Sequence, residues 1–244
     1  MHGPNLHSAA HGLELNNVGV VLLDIEGTTT PVEFVHTTLF GYARAHVQEF
    51  LERHEADPDV QTDIELLRAE HAAESPPPNP PMASVSAYVH WLMDHDRKST
   101  SLKSLQGKIW AEGYRRGELR GEVYPDVPPA LTRWRNAGRD IAIFSSGSIQ
   151  AQRDLFATTP AGDLTPHIRA YFDTTTGAKT ALQSYVRIAA ALERSPADVL
   201  FISDVAAELD AARGAGMLTT LCGRRPDEEP AESAHPVIHT FDGI

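Results

Sequence analysis

Two acidic residues follow a short apolar run near the start of the chain. The run is Val20–Leu23, and Asp24, Glu26 and Gly27 come directly after it. Four apolar residues, two of them β-branched, are typical of a strand that is buried on both faces of a parallel sheet. Because positions i and i+2 of an extended chain point the same way, the two carboxylates could converge on one cation. Gly27 would let the backbone turn sharply beside it.

Two later apolar runs also end in polar side chains. Ile141–Phe144 precedes Ser145 and Ser146, and Val199–Ile202 precedes a Ser-Asp pair that ends at Asp204. If all three runs are parallel strands, their polar ends meet along one edge of the sheet, where such folds bind ligands. Serine hydroxyls and helix-start amides suit a phosphate oxygen, and serine is also a favoured helix cap. Ser148 is the better candidate for the cap itself.

The elements that must position these residues fall into an α/β part and a helical part. Residues 32–121 repeat apolar side chains at three- and four-residue steps and predict an inserted, all-helical cap domain. Residues 13–31 and 122–244 alternate strand and helix, which predicts a Rossmann-like core with a central parallel sheet. Residues 1–12 read as a flexible tail, and Ser75–Pro81 as a stiff connector.

The boundaries of the core elements can be predicted from the same patterns. Helices are expected at Pro129–Ala137, Ile149–Phe156, Thr180–Leu192 and Ala206–Ala215. A short strand is expected near Tyr171 and Phe172, and Leu218–Cys222 is expected to be the last strand. An acidic, mobile tail around Asp227–Glu232 is predicted after it.

Composition excludes several classes of protein. The net charge of −12 disfavours a nucleic-acid or anionic-membrane surface, since both require a basic patch. No apolar run approaches the roughly 20 residues needed to span a bilayer. Cys222 is the only cysteine, so a reducing compartment and a cytoplasmic enzyme are expected. An acidic protein that handles phosphate must build its positive site locally, from a metal, a lysine and backbone amides.

The motifs together resemble the haloacid dehalogenase (HAD) superfamily. Asp24 to Gly27 gives Asp-x-Glu-Gly in place of the commoner Asp-x-Asp, a narrower form that is similar to the acireductone synthase (enolase-phosphatase) family of methionine salvage. Further segments resemble that family over almost the whole chain: EGTTTPVEFV (26–35), SLKSLQGKIW (101–110), IFSSGSIQAQRDLF (143–156), FDTTTGAK (172–179) and DVAAELDAA (204–212).

The resemblance implies a nucleophile and a metal site. Asp24 would attack the phosphoryl group to give an aspartyl-phosphate, and one Mg²⁺ per subunit would be held by Asp24, Glu26 and Asp204. Glu26 is expected to contact the metal through its main chain or its carboxylate and to act in proton transfer. Its longer side chain leaves the acid–base role open.

The resemblance also implies a phosphate site. Ser145, Ser146 and Lys179 would bind the phosphate, and the lysine would offset the charge of two aspartates and a phosphate beside one Mg²⁺. Glu208 lies one helical turn after Asp204. It could hold a metal-bound water or act as a plain helix-dipole acid.

The implied reaction converts 2,3-diketo-5-methylthiopentyl-1-phosphate to acireductone and phosphate, by enolisation and then hydrolysis. The cap should close over the substrate, with Lys103, Lys108 and Trp110 as candidate contacts. The alternative for the tryptophan, a core aromatic of the cap, is favoured, and the alternative for the lysines is a solvated surface position. A monomer acting on a small phosphorylated diketone is expected. The alternatives are a general phosphatase of the superfamily, a metal-independent dehalogenase and a non-catalytic phosphometabolite-binding protein.

Overall fold

A computed structural model describes residues 15, 17–74, 84–97, 99–224 and 233–244. Three predicted segments lie outside these residues: the tail 1–12, the connector Ser75–Pro81 and the acidic tail Asp227–Glu232. None of the helices in the described ranges is long and apolar enough to cross a lipid bilayer.

A parallel sheet with flanking helices forms the α/β part. The strands are β1 (Val20–Leu23), β2 (Asp140–Phe144), β3 (Ala170–Phe172), β4 (Val199–Ser203), β5 (Leu218–Cys222) and β6 (Val237–Ile238). They form one sheet in the order β3-β2-β1-β4-β5-β6, and every described pair is parallel. The predicted α/β fold class is therefore confirmed.

The register of the central strands brings the polar strand ends to one level. Leu23 pairs with Ile143 of β2 on one side and with Ile202 of β4 on the other. One residue further along, Asp24 is therefore level with the last residue of each neighbouring strand. The chain runs outward from β1 in both directions, so this edge is the topological switch point where open parallel sheets bind ligands.

Apolar residues bury the sheet against helices. The helices that alternate with these strands along the chain are α5 (Val127–Asn136), α6 (Ile149–Ala157), α7 (Leu182–Ala191) and α8 (Ala206–Gly214). On one face, Leu22 and Phe201 pack in a fully buried cluster with Tyr185 of α7 and Leu209 of α8. This packing holds the carboxyl ends of β1 and β4 rigidly, which is what a catalytic site requires.

Several of the predicted boundaries were wrong. Helix α5 begins at Val127, two residues before the predicted Pro129. Helix α7 begins at Leu182, not Thr180, because Ala181 has an extended backbone with ψ near 122°. Leu218–Cys222 is not the last strand, since Val237–Ile238 adds a sixth beside it. Two residues are too few to show the alternation by which a strand is recognised in a sequence.

The other part is helical, as its periodicity predicts. Its helices are α1 (Phe40–Arg53), α2 (Pro58–Ala73), α3 (Val85–Asp94) and α4 (Thr100–Arg115), and a π-helical segment, Phe34–Leu39, precedes α1. Side-chain caps fix the starts of three of them: Asp57, Ser84 and Ser99 each accept a hydrogen bond from a backbone N–H.

The contacts of the chain divide it into two compact units. One comprises residues 1–29, 124–146 and 166–244, and the other comprises 30–123 and 147–165. The helical unit thus includes α6, which the sequence pattern assigned to the core. The predicted function of the helical unit as a substrate cap stays a prediction.

Two of the candidate cap contacts have partners inside the helical unit. The Trp110 indole donates to the Leu39 carbonyl oxygen at 2.7 Å and its ring stacks on Phe40, so it is a core aromatic. Lys108 donates to the Asp63 carboxylate at 2.6 Å, which ties α4 to α2. Lys103 is exposed on α4.

A buried acid, Glu112, joins two helices of this unit. Its carboxylate accepts hydrogen bonds from Arg53 at the end of α1 and from Arg116, and it pairs with the His54 ring at 2.7 Å. Burial opposes ionisation of Glu112, but these hydrogen bonds outweigh it and lower its pKa to about 2.

We expect Glu112 to make the fold sensitive to acid. Because its pKa is depressed in the folded state, its contribution is fully present above the ordinary value of 4.5 and is lost as the pH falls toward 2. Glu112→Gln should lower the free energy of unfolding at pH 7 and flatten its fall between pH 5 and 3 in urea titrations. The control Glu49→Gln removes an exposed partner of Arg53 and should change little. Parallel pH curves for wild type and Glu112→Gln would contradict this role.

Candidate active site

Asp24 occupies the carboxyl end of the central strand. Its N–H donates to the Ile202 carbonyl oxygen at 3.0 Å, which extends the pairing with β4 by one residue. The residue is 3% exposed, and Oδ1 accepts the N–H of Ile25 at 2.7 Å. The carboxylate is therefore held in one orientation by the backbone that follows it.

A tight turn follows Asp24. Gly27 has a φ of 67°, and the N–H groups of Thr28 and Thr29 both donate to the Ile25 carbonyl oxygen, at 3.2 and 2.9 Å. The strand ends at Leu23, so the alternation of an extended chain does not fix the direction of Glu26, which is half-buried in this turn. The assignment of Glu26 as metal ligand and acid–base group stays a proposal.

Lys179 lies against Asp24, although 155 residues separate them. Its Nζ is 2.6 Å from Asp24 Oδ1 and 2.7 Å from Glu208 Oε2. Burial disfavours the ammonium form, but the two carboxylates outweigh it and raise the pKa of Lys179, so the group is charged at neutral pH. The buried Tyr185 hydroxyl donates to the Lys179 carbonyl oxygen at 2.6 Å and fixes the backbone there.

Ser203, the last residue of β4, links the carboxylates. Its hydroxyl lies 3.2 Å from Asp24 Oδ2 and 3.1 Å from Glu208 Oε2, and it accepts the N–H of Val205. Burial and the Asp24 charge raise the pKa of Glu208. Glu208 thus contacts Lys179 and Ser203. Neither of the two interpretations of Glu208 from the sequence had predicted these contacts.

Asp204 lies beside the turn that contains Gly27. A Cβ atom built on Gly27 would be 2.1 Å from Asp204 Oδ2, so a side chain cannot be placed there while the carboxylate keeps its position. The packing around the carboxyl group and the charge of Asp24 raise the pKa of Asp204 to about 7, although the residue itself is exposed. The structure therefore places Asp204 close to both Asp24 and its loop.

The three serines after β2 differ in their surroundings. Ser145 is buried and its N–H donates to the Phe172 carbonyl oxygen, whereas Ser146 is exposed. Ser148 caps α6, because its hydroxyl accepts the N–H of Ala151 at 3.3 Å. The cap prediction for Ser148 is confirmed, and phosphate binding by Ser145 and Ser146 stays a proposal.

The charges of this site suit a divalent cation. If the carboxyl groups of Asp24, Asp204 and Glu208 are all ionised, three negative charges stand against the single ammonium group of Lys179, which leaves an excess of two. Carboxylate oxygens are the ligands that Mg²⁺ prefers, and it keeps several waters. Within the described ranges, no three histidine, cysteine or acidic side chains form a potential metal cage. The carboxylates of Asp24 and Asp204, together with an oxygen of Glu26, would provide oxygen ligands of the type that Mg²⁺ prefers.

Sequence reasoning missed two contributors. Ser203 joins Asp24 to Glu208, and Tyr185 anchors Lys179. The Ser-Asp pair that ends β4 was a visible signal for Ser203, because a residue level with Asp24 on the adjacent strand must lie close to it. Tyr185 has no comparable signal, since it has the spacing of an ordinary core residue of α7.

Comparison with known proteins identifies the family of the chain. A family model described as haloacid dehalogenase-like hydrolase matches residues 18–216. The chain is 53% identical over 234 residues to "Enolase-phosphatase E1" of Synechococcus elongatus, with 93% of this chain and 98% of that protein covered. It is 45% identical to the protein of the same name from Azotobacter vinelandii, with 93% and 97% covered.

Solved structures show the same fold. The UTR4 protein of Saccharomyces cerevisiae superposes with a TM-score of 0.75 at 34% identity, covering 93% of this chain and 100% of that one. CbbY of Rhodobacter sphaeroides, at 16% identity and a TM-score of 0.59, shows likeness of fold alone. The chain belongs to the haloacid dehalogenase-like hydrolases and, within them, to the enolase-phosphatase E1 family.

Proposed function

We propose that this chain is the enolase-phosphatase of methionine salvage, a phosphoric monoester hydrolase. Its substrate is 2,3-diketo-5-methylthiopentyl-1-phosphate, and its products are acireductone and phosphate. The observation that best supports the proposal is the Asp24–Lys179 pair at 2.6 Å, held at the switch point of the sheet beside Asp204. The high identity to relatives named enolase-phosphatase over nearly their whole length supports the narrower activity.

In the phosphoryl-transfer step, each charged group of the site has a separate function. An oxygen of Asp24 attacks phosphorus, the bond between phosphorus and the enol oxygen breaks, and that oxygen leaves with the electron pair. Water then attacks the aspartyl-phosphate, which releases phosphate and restores the carboxylate. Lys179, charged and 2.6 Å from Asp24, stabilises the negative charge on the phosphoryl oxygens. Glu208 and Tyr185 keep the lysine in place.

Magnesium fits the oxygen donors of this site, with Asp24, Asp204 and an oxygen of Glu26 as its proposed ligands. When bound, it supplies positive charge that polarises substrate oxygens and offsets phosphoryl charge. Burial and the nearby charge of Asp24 raise the pKa of Asp204 to about 7, so a bound cation would favour the ionised form of this carboxyl group.

The enolisation step needs a base at the acidic C–H of the diketone. Glu26 is proposed for this proton transfer because it lies in the same turn as Asp24 and is half-buried rather than fully solvated. Ser145 and Ser146 are proposed to donate hydrogen bonds to the phosphate from the loop that follows β2.

The decisive experiment supplies the purified protein with the diketo-phosphate and Mg²⁺ and follows enol absorbance and free phosphate together. We expect both signals, in equal final amounts. Phosphate without the enol product would reduce the function to that of a general phosphatase. Neither signal, with substrate bound, would indicate a non-catalytic binding protein.

Removal of the metal gives a second arm of the same experiment. EDTA should abolish phosphate release and added Mg²⁺ should restore it, because two uncompensated carboxylates repel the substrate's phosphate. Calorimetric titration of the EDTA-treated protein should show one Mg²⁺ bound per chain. Full hydrolysis in EDTA would favour the metal-independent alternative.

A further inference from the structure

Arg224, just beyond β5, contacts the loop that follows Asp24. Its Nε and Nη2 atoms donate to the same acceptor, the Thr28 carbonyl oxygen, at 2.9 and 2.6 Å. Its Nη1 donates to Asp126 Oδ2 at 2.7 Å and to the His239 carbonyl oxygen at 3.3 Å. One guanidinium group thus joins the loop that follows Asp24 to the start of α5 and to the C-terminal segment of the same unit.

The surroundings of Arg224 are specific for a guanidinium group. Its side chain is 7% exposed and lies between two aromatic rings, with its central carbon 4.3 Å from the Tyr124 ring centre and 4.5 Å from that of Phe241. Asp126 compensates the charge and also accepts the N–H of Phe241. A lysine could not stack in this way or donate two hydrogen bonds side by side to one oxygen.

The loop depends on such support. Asp24 to Thr30 contains no regular helix or strand, and the three threonines are fully buried. Thr29 is held separately, since its carbonyl oxygen accepts the N–H of Tyr124 at 2.9 Å. Thr28 follows Gly27 directly, so a shift of its carbonyl would move the backbone that lies against Asp204 and includes Glu26.

We propose that Arg224 is a positioning residue for catalysis: it holds the turn after Asp24 in the geometry that binds Mg²⁺ and accepts the phosphoryl group. The expected change in kcat rests on the proposed function. The expected change in Mg²⁺ affinity is measured independently of it. Arg224 contacts neither substrate nor metal in this assignment and acts through the Thr28 carbonyl.

The matched comparison is Arg224→Met against Arg133→Met. Arg133 also donates hydrogen bonds to the C-terminal segment, to the carbonyl oxygens of Phe241 and Ile244, but in the described part of the chain it makes no hydrogen bond to the turn. Both variants should lower the melting temperature. Only Arg224→Met should weaken Mg²⁺ binding, measured by calorimetry on folded protein, and lower kcat, each by about tenfold or more. KM should change less than kcat.

Two outcomes would overturn the inference. One is an Arg224→Met protein that is folded and has the Mg²⁺ affinity and kcat of Arg133→Met. If Arg224→Met does not fold, Arg224→Lys decides, because it keeps the charge beside Asp126 but loses the paired donors; a folded lysine variant with wild-type Mg²⁺ affinity and kcat refutes the proposal. A wild-type protein that binds Mg²⁺ but does not turn over the diketo-phosphate refutes the proposed function instead, and the Mg²⁺ comparison still tests Arg224.

Discussion

Replacing Asp24 by asparagine should lower the rate of phosphate release by about four orders of magnitude or more, as loss of a covalent nucleophile does in other hydrolases. The amide nitrogen and oxygen occupy the space of the carboxylate, so the fold should survive. The amide is a far weaker nucleophile and cannot form the aspartyl-phosphate. Lys179, which is 2.6 Å from Oδ1, can still donate to an amide oxygen there.

The measurement is phosphate release in single turnover, with the melting temperature as a check of folding. Asp140→Asn is the matched control, because Asp140 begins the adjacent strand at the opposite edge of the sheet and pairs with Arg135 and Arg169. That variant should lose stability and keep its turnover number. A turnover number within tenfold of wild type in Asp24→Asn would remove Asp24 as the nucleophile.

The strands that build this site can be predicted from the sequence, because each of them is encoded by a short apolar run of adjacent residues. Val20–Leu23 and Val199–Ser203 are buried on both faces and therefore show continuous apolar runs. Their polar ends then follow from parallel pairing alone. Parallel pairing of these apolar runs is enough to predict that Asp24 and Asp204 lie at one edge of the sheet.

The rest depends on side-chain packing that no local pattern encodes. Glu208 contacts Lys179, but its position one turn after Asp204 was equally consistent with a helix-dipole acid. Arg224 stands 196 residues from the Thr28 carbonyl it holds, and nothing in its neighbours predicts that contact. Val237–Ile238 forms a strand because it pairs with the edge of β5. This pairing depends on the sheet and not on the identity of those two residues.

Gly27→Ala should impair the site more than the addition of a single methyl group would suggest. The new methyl carbon would lie 2.1 Å from Asp204 Oδ2 and 2.6 Å from its Cγ, distances that real atoms do not adopt. The Asp204 side chain must rotate away or the turn must open, and either change moves a proposed Mg²⁺ ligand. We expect kcat/KM to fall about 100-fold or more, since displacement of a catalytic group by 1 Å is enough for such a loss.

Gly138→Ala separates this steric effect from backbone strain. Gly138 has a φ of 77°, close to the 67° of Gly27, but a Cβ atom there meets nothing within 4 Å. Both substitutions therefore cost about 1 kcal/mol or somewhat more in backbone strain, and in Gly27→Ala the clash with Asp204 should lower the melting temperature further. Only Gly27→Ala should weaken Mg²⁺ binding and activity. Equal Mg²⁺ affinity in the two variants would mean that the Asp204 carboxylate does not need the position it occupies beside the turn, and the proposed metal site would have to be abandoned.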